Sequence, residues 1–202
     1  MRTLLQLLIA LSCLPALGQW NSLFDGKQLD RWKETAFSRK GVVAVEDGAI
    51  VLRPGEPMTG VTWSGEFPRT NYEIRFEAAR LRGNDFFATV TFPVGDSFCS
   101  WVMGGWGGDI IGLSSIDGWD ASENETRAYF NFDNGKWYKL RLVVTPEYIR
   151  AWIDEERVIN ASIAGRTIDL RPGEIKLSAP LGFASYATEG AVRKMEYRTL
   201  SR

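Results

Sequence analysis

The 202-residue sequence contains no histidine, and this absence excludes several kinds of chemistry at once. A Ser-His-Asp or Cys-His nucleophile system needs an imidazole as its base, and His-ligated zinc or iron sites need one as a ligand. Any reaction of this protein must therefore depend on carboxylates, lysine, tyrosine, backbone amides or a cation held by oxygen ligands.

Cysteine is scarce as well, because the chain has only Cys13 and Cys99. Cys13 lies in an N-terminal segment that we expect to be removed, which leaves Cys99 alone and excludes an intramolecular disulfide in the mature chain. The apolar neighbours of Cys99 predict a small buried residue and not a reactive thiol.

The N-terminus has the pattern of an export signal, in which a charged start, Met1-Arg2, precedes an apolar run over residues 4–11. Ala16-Leu17-Gly18 supplies the small residues of a cleavage site, so residues 1–18 are the predicted signal and the mature chain of residues 19–202 is expected to be secreted or periplasmic. A lipid anchor on Cys13 is the alternative. Nothing after residue 18 is apolar enough to span a membrane.

Basic residues are absent from the long stretch between Arg82 and Arg127, which carries seven acidic residues. The mature chain has 23 basic against 25 acidic residues, so the rest of it has a positive balance but is nowhere strongly basic. A nucleic acid is therefore not expected as a partner.

Long helical periodicity is missing too, and short alternating segments take its place. Tyr72, Ile74 and Phe76 alternate with charged residues, and similar patterns recur over residues 137–159 and 175–198. We predict one all-β domain over residues 19–202, a sandwich of two antiparallel sheets.

Three local expectations come from the same patterns. Residues 82–85 have hairpin-turn chemistry and should join residues 71–80 to residues 86–94. The capping box Asp120–Glu123 predicts one or two helical turns up to Arg127. Two tryptophans in alternating strands are expected in the core: Trp137 and Trp152.

Three of the eight tryptophans, Trp101, Trp106 and Trp119, lie in the stretch without basic residues, around the glycine-rich run Gly104–Gly108. Carboxylates accept hydrogen bonds from hydroxyl groups, and the apolar face of a pyranose ring stacks on indole. The combination predicts a saccharide site, with Trp106 exposed because glycines flank it on both sides. The alternative is an acidic loop whose tryptophans are buried.

Three parts of the mature chain resemble a known family. They are the opening "WNSLFDGK" at residues 20–27, then "NGKWY" and "IRAWID" at residues 134–138 and 149–154, and finally "PLGFA" and "VRK" at residues 180–184 and 192–194. Together they are similar to the 3-keto-disaccharide hydrolase domain family, which is common in secreted bacterial proteins. The resemblance implies a concanavalin A-like jelly roll and cleavage of glycosidic bonds in 3-keto-disaccharides or related glycosides.

A ketone at C3 of such a sugar acidifies the neighbouring C–H, so one base and one group that stabilises an enolate suffice to eliminate the aglycone. The candidate bases are Glu77, Asp85 and Asp109, and Arg75 or a bound cation is the candidate partner of the enolate. Sandwiches of this class bind ligands on an open sheet face, where Arg75 and Glu77 are expected near the tryptophans. The candidate substrate-binding residues are Arg75, Trp101, Trp106 and Trp119.

Other functions stay open at this point. An ordinary two-carboxylate glycosidase usually shows an acid pair on one strand, and no E-x-D-x-x-E signature occurs here. A non-catalytic, lectin-like glycan-binding module and a structural surface domain fit the same composition. Ca²⁺ is a candidate cofactor, although the spacing is not that of an EF-hand loop. Its candidate ligands are Asp117, Asp120, Glu123 and Glu125.

Overall fold

Fifteen β-strands and a 3₁₀ helix (Glu174–Ser178) form the regular structure of residues 18–201, the part of the chain that the computed structural model describes. The first sheet consists of β1 (Asn21–Ser22), β3 (Val43–Glu46), β4 (Ala49–Leu52), β6 (Tyr72–Arg82), β11 (Trp137–Val144), β12 (Tyr148–Ile153), β13 (Glu156–Ser162) and β15 (Glu189–Thr199). The second sheet consists of β2 (Trp32–Glu34), β5 (Met58–Trp63), β7 (Thr89–Val94), β8 (Ser97–Gly105), β9 (Ile110–Ser114), β10 (Ala128–Tyr129) and β14 (Gly182–Tyr186).

Neighbouring strands are antiparallel in both sheets. The spatial order is β13-β12-β11-β6-β15-β4-β3 in the first sheet, with β1 beside β15, and β10-β9-β8-β7-β14-β5-β2 in the second. Side chains from both sheets share one apolar core. The predicted all-β sandwich of two antiparallel sheets is confirmed.

The alternation expected for β6 is present. Tyr72, Ile74 and Phe76 are buried in the core, and the Tyr72 hydroxyl donates a hydrogen bond to the carbonyl of Pro93 in the second sheet at 2.7 Å. Each large apolar side chain removed from water in this way stabilises the fold by about 1.5–3 kcal/mol. Strand β6 therefore ties the two sheets together through its inward face.

Ion pairs and stacked arginines cover the outward face of the first sheet. Arg141 lies 2.6 Å from the Glu73 carboxylate, and its guanidinium is 4.0 Å from the ring centre of Trp152. The guanidinium of Arg193 is 3.8 Å from the ring centre of Trp137. The expectation that Trp137 and Trp152 lie in the core is wrong, because both are only partly buried and lie beneath arginines on this outer face.

The two other local expectations are also wrong. Strands β6 and β7 belong to different sheets, so residues 83–88 cross the edge of the sandwich and do not form a hairpin. Residues 120–127 form turns and not a helix, because the Asn124 side-chain amide and the Thr126 hydroxyl are hydrogen bonded to the backbone of Leu113 on β9, at 2.7 and 2.8 Å. The crossing segment carries Asp85 to the outer side of the second sheet.

The predicted export signal, including Cys13, lies outside the described residues apart from Gly18. Between residues 18 and 201, no helix has the length and apolar character needed to cross a membrane.

Cys99 is fully buried on the inward face of β8, and burial raises the pKa of its thiol to about 12. A thiolate is therefore almost absent at neutral pH, and no reagent can reach the sulfur. We expect a chain starting at residue 19 to show no reaction with a thiol reagent at pH 8 until urea unfolds it. Rapid reaction of one thiol in the folded protein would contradict this burial.

Candidate functional site

A groove of about 440 Å³ lies on the outward face of the second sheet. Its floor is formed by the outward side chains of three adjacent strands, Thr89 on β7, Ser100 and Val102 on β8, and Ser114 on β9. The crossing segment with Asp85, the glycine-rich loop and residues 171–175 form its walls. The volume is within the range of about 300–1,000 Å³ that is usual for small-molecule sites.

Trp106 stands at the rim of this groove on the glycine-rich loop, with 39% of its surface exposed. Its own φ is +50°, and Gly107 and Gly108 continue the loop with φ of +101° and +115°. A left-handed conformation costs a bulky L-residue roughly 1–2 kcal/mol. Contacts within the surrounding loop must offset that free energy.

Arg80 anchors the glycine-rich loop from below. Its guanidinium is buried and donates hydrogen bonds to the carbonyl of Gly108 at 3.1 Å, to Asn134 Oδ1 at 2.8 Å and to the carbonyl of Phe132. Three acceptors from two separate loops thus converge on one rigid, planar donor. Arg80 therefore fixes where the loop presents Trp106.

Asp85 is the half-buried carboxyl group of the groove. Burial raises its pKa above the usual value of 3.8, and this effect outweighs the hydrogen bonds from the amides of Phe86 and Gly107 and the charge of Arg80, which act in the opposite direction. The Phe86 amide donates to Oδ1 at 2.7 Å, so the orientation of the carboxyl group is fixed. A carboxylate with a raised pKa is a stronger base than an exposed aspartate.

Arg171 brings a positive charge to the same groove. Its guanidinium carbon is 5.6 Å from the ring centre of Trp106, and its Nη1 is 3.5 Å from the Asp120 carboxylate. Glu174 also lines the groove, but its carboxylate accepts hydrogen bonds from the amide and hydroxyl of Ser38. The groove therefore combines a partly desolvated base, a guanidinium and an indole.

The structure brings two of the seven sequence-predicted site residues together in this groove, Asp85 and Trp106. Trp119 is 58% exposed and precedes Asp120, the partner of Arg171, so it lies close to the rim without lining the groove. Trp101 is completely buried in the core and has no face that a ligand can reach.

The other three predicted residues lie elsewhere. Arg75 and Glu77 are on β6, so they stand on the outward face of the opposite sheet. Burial favours a higher pKa for Glu77, but hydrogen bonds from Lys194 and Arg193 outweigh it and hold the pKa below its usual value, which makes this carboxylate a weak base. Asp109 is exposed next to Gly108 and does not line the groove.

Three of the four acidic residues considered for Ca²⁺ are engaged by arginines. Asp117 and Glu125 both bind Arg166, at 2.5 and 2.7 Å, and Asp120 contacts Arg171. Within residues 18–201, no group of three or more acidic or cysteine side chains is arranged to hold a metal ion. Calcium binding stays a prediction of the sequence.

Sequence reasoning missed four residues that line the groove: Arg171, Tyr186, Thr89 and Ser114. Thr89 occurs in an alternating segment, so its outward position was readable from the pattern. No local signal indicates that residues 171–175, more than 80 positions later, fold over the same strands.

Several solved proteins that act on or bind carbohydrates have the same sandwich fold as this chain. An endo-β-1,3(4)-glucanase of family GH16, SCLam, matches with a TM-score of 0.62 and 11% identity over 96% of this chain and 94% of that chain. Domain 4 of AbnA, a GH43 extracellular arabinanase from Geobacillus stearothermophilus in complex with arabinotriose, matches with a TM-score of 0.59 and 15% identity. The match covers 92% of this chain and 93% of that chain. The carbohydrate-binding module CBM66 from Bacillus subtilis matches with a TM-score of 0.58 and 11% identity, over 84% of this chain and 96% of that chain.

These likenesses confirm the predicted concanavalin A-like jelly roll. The model of the 3-keto-alpha-glucoside-1,2-lyase-like domain matches residues 19–200, so the chain belongs to this family and the resemblance seen in the sequence is confirmed. None of the curated protein sequences compared with the chain matches it. Family and fold together are those of a carbohydrate-active, glycosyl hydrolase-like protein.

Proposed function

We propose that this protein cleaves the glycosidic bond of 3-keto-glycosides by elimination across C1 and C2, in the groove of the second sheet. The observation that carries the proposal is the half-buried Asp85 carboxyl, whose pKa is raised by burial, beside an indole and a guanidinium. The matching family description names a 1,2-lyase activity on 3-keto-α-glucosides, which is the same reaction. The predicted export signal is consistent with action outside the cytoplasm.

In the proposed reaction the Asp85 carboxylate removes the proton from C2, which the C3 ketone acidifies. The electron pair of that C–H bond is held as an enolate, and the Arg171 guanidinium stabilises its negative oxygen. The enolate then collapses to form the C1=C2 double bond as the bond from C1 to the aglycone oxygen breaks. The aglycone takes a proton from solvent, and water adds back across C1=C2 to give the free 3-keto sugar.

Trp106 supplies the apolar platform for the sugar ring. We expect Trp106→Gly to weaken binding of methyl 3-keto-α-glucoside by about 5–30-fold, the loss of one stacking contact worth roughly 1–2 kcal/mol. Because Trp106 has a positive φ, Trp106→Gly should be at least as stable as Trp106→Ala, the reverse of the usual order. Isothermal titration in the Asp85→Asn background and urea unfolding measure the two effects.

The matched control for the two Trp106 variants is Trp152→Ala, which removes an indole from the opposite sheet. It should leave binding of the keto sugar unchanged. Equal weakening by Trp152→Ala and Trp106→Gly would contradict the location of the site.

The assay that tests the proposed function compares methyl 3-keto-α-glucoside with methyl α-glucoside, each with and without a chelator, and measures methanol release. We expect release from the keto sugar alone, because only the ketone makes the C2 proton removable. Equal release from both sugars would indicate ordinary hydrolysis and contradict the proposal.

A non-catalytic glycan-binding module is the second candidate, and one observation favours it: the same sandwich occurs in the carbohydrate-binding module CBM66. Saturable binding of either sugar, with no methanol released between pH 5 and 9, would establish this function in place of the first.

A further inference from the structure

Four buried hydroxyl groups in residues 18–201 have no hydrogen-bond partner: Thr89 Oγ1, Ser114 Oγ, Ser178 Oγ and Ser185 Oγ. Buried hydroxyl groups in folded proteins are nearly always paired, since an unpaired one costs free energy. Two of the four, Thr89 and Ser114, line the groove, and each side chain has at most 2% of its surface exposed. Their position calls for an explanation that the fold alone does not give.

The strand register places these groups in an organised polar floor. Thr91, Ser100 and Ser114 lie side by side on β7, β8 and β9, and the hydroxyls of Thr91 and Ser100 hydrogen bond to each other at 2.8 Å. Ser114 continues the row but has no such partner. Thr89 lies two residues before Thr91, on the same outward face of β7. The unpaired hydroxyls of Thr89 and Ser114 therefore lie on either side of the hydrogen-bonded pair of Thr91 and Ser100.

The walls around this floor are apolar. The rings of Phe86 and Tyr186 lie 5.5 Å apart, centre to centre, and the amide of Tyr186 donates a hydrogen bond to the carbonyl of Phe86 at 2.9 Å. Trp106 adds its indole at the rim. A ligand that matches these surfaces must carry apolar ring faces and an edge of oxygen atoms, which is the chemistry of a sugar ring.

We infer that Thr89 Oγ1 and Ser114 Oγ form a binding subsite for the oxygen atoms of one sugar ring held against Trp106. This inference rests on the proposed function for the identity of the ligand as a sugar. Neither oxygen is exposed in the free groove, so each hydroxyl must turn about its χ1 bond to meet the ligand. It can then accept a hydrogen bond from a sugar hydroxyl or donate one to the ketone oxygen. The ring then lies with its oxygen-bearing edge on the floor and an apolar face against the indole.

The test removes the hydroxyl groups without changing the shape of the groove, with Thr89→Val and Ser114→Ala. Binding of methyl 3-keto-α-glucoside is measured by titration in the Asp85→Asn background, where the sugar is not consumed. We expect each variant to weaken binding by about tenfold, the usual effect of one lost hydrogen bond. The midpoint of urea unfolding should stay the same or rise, since an unpaired buried hydroxyl is replaced by a methyl group or a hydrogen.

Ser185→Ala is the matched control, because Ser185 is equally buried and unpaired but alternates with the outward residues of β14 and faces the core with Phe183. The Ser185→Ala variant in the Asp85→Asn background should bind the keto sugar as tightly as the Asp85→Asn parent does. Unchanged binding in Thr89→Val and Ser114→Ala, or an equal loss in Ser185→Ala, would overturn the inference while leaving elimination by Asp85 intact. Complete failure of the parent to bind the keto sugar would overturn both.

Discussion

Replacing Asp85 by Asn should lower the rate of methanol release from methyl 3-keto-α-glucoside by roughly 10²–10⁴-fold, the usual contribution of a general base. An amide cannot take the C2 proton, but its oxygen can still accept the hydrogen bond from the Phe86 amide. The geometry of the groove should therefore survive the change. Steady-state kinetics with binding measured in parallel will separate lost chemistry from lost affinity.

The same substitution should leave the free energy of unfolding unchanged or raise it slightly at neutral pH. Burial raises the pKa of Asp85 in the folded protein, so the folded state binds this proton more tightly than the unfolded state does. The resulting stabilisation is present at low pH and is lost as pH rises through the folded-state pKa. Asp85→Asn should abolish this decrease in stability, because asparagine does not ionise. Turnover by the unmodified protein should rise over the same pH interval, as the Asp85 carboxyl ionises and becomes a base.

Glu77→Gln and Asp109→Asn are the variants that discriminate among the three candidate bases. Neither residue lines the groove, so both variants should keep the rate of release within a few-fold of the parent. Full activity of Asp85→Asn, together with inactivity of one of the others, would show that the base lies elsewhere.

Replacing Arg80 by Met should lower the free energy of unfolding by about 3 kcal/mol, because hydrogen bonds to three acceptors from one buried, charged donor are lost together. The Gly108 carbonyl would lose its anchor, and the glycine-rich loop would no longer hold Trp106 at the rim. We therefore expect the folded variant to bind the keto sugar at least about 5–30-fold more weakly, the effect expected for loss of Trp106 itself. Urea unfolding and titration below the unfolding midpoint measure these effects.

Arg82→Met provides the comparison for this experiment, because Arg82 follows on the same strand with a side chain that is 77% exposed. An exposed charge of this kind contributes little to stability, so the unfolding free energy of Arg82→Met should stay within about 0.5 kcal/mol of that of the unmodified protein. Similar losses in Arg80→Met and Arg82→Met would mean that Arg80 does not anchor the loop.

The fold was predictable because strand alternation is a local signal. Tyr72, Ile74 and Phe76 mark the inward face of β6 without reference to any other part of the chain. The same signal cannot say which sheet a strand joins, and residues 82–85, which have the composition of a turn, connect two sheets instead. Arg75 and Glu77 were therefore assigned to an open face, and that face belongs to the sheet opposite the groove.

Part of the candidate site was predictable for a different reason. Glycines around Trp106 and the absence of basic residues over residues 83–126 are properties of one segment, and its residues Asp85 and Trp106 line the groove. Trp101 shares that composition, but its inward position on β8 buries it completely. Arg171 reaches the groove through a contact between distant parts of the chain, which no pattern within either part encodes.

Proton removal from C2 is the central claim, and it can be measured directly by cleaving methyl 3-keto-α-glucoside in D₂O and following C2 of the released sugar by NMR. Elimination followed by addition of D₂O places deuterium at C2, whereas direct hydrolysis keeps the original hydrogen. A protein-free sample and a sample of the product sugar give the rate of spontaneous exchange. We predict deuterium at C2 in step with methanol release, and its absence with Asp85→Asn; methanol released while C2 keeps its hydrogen would contradict the account.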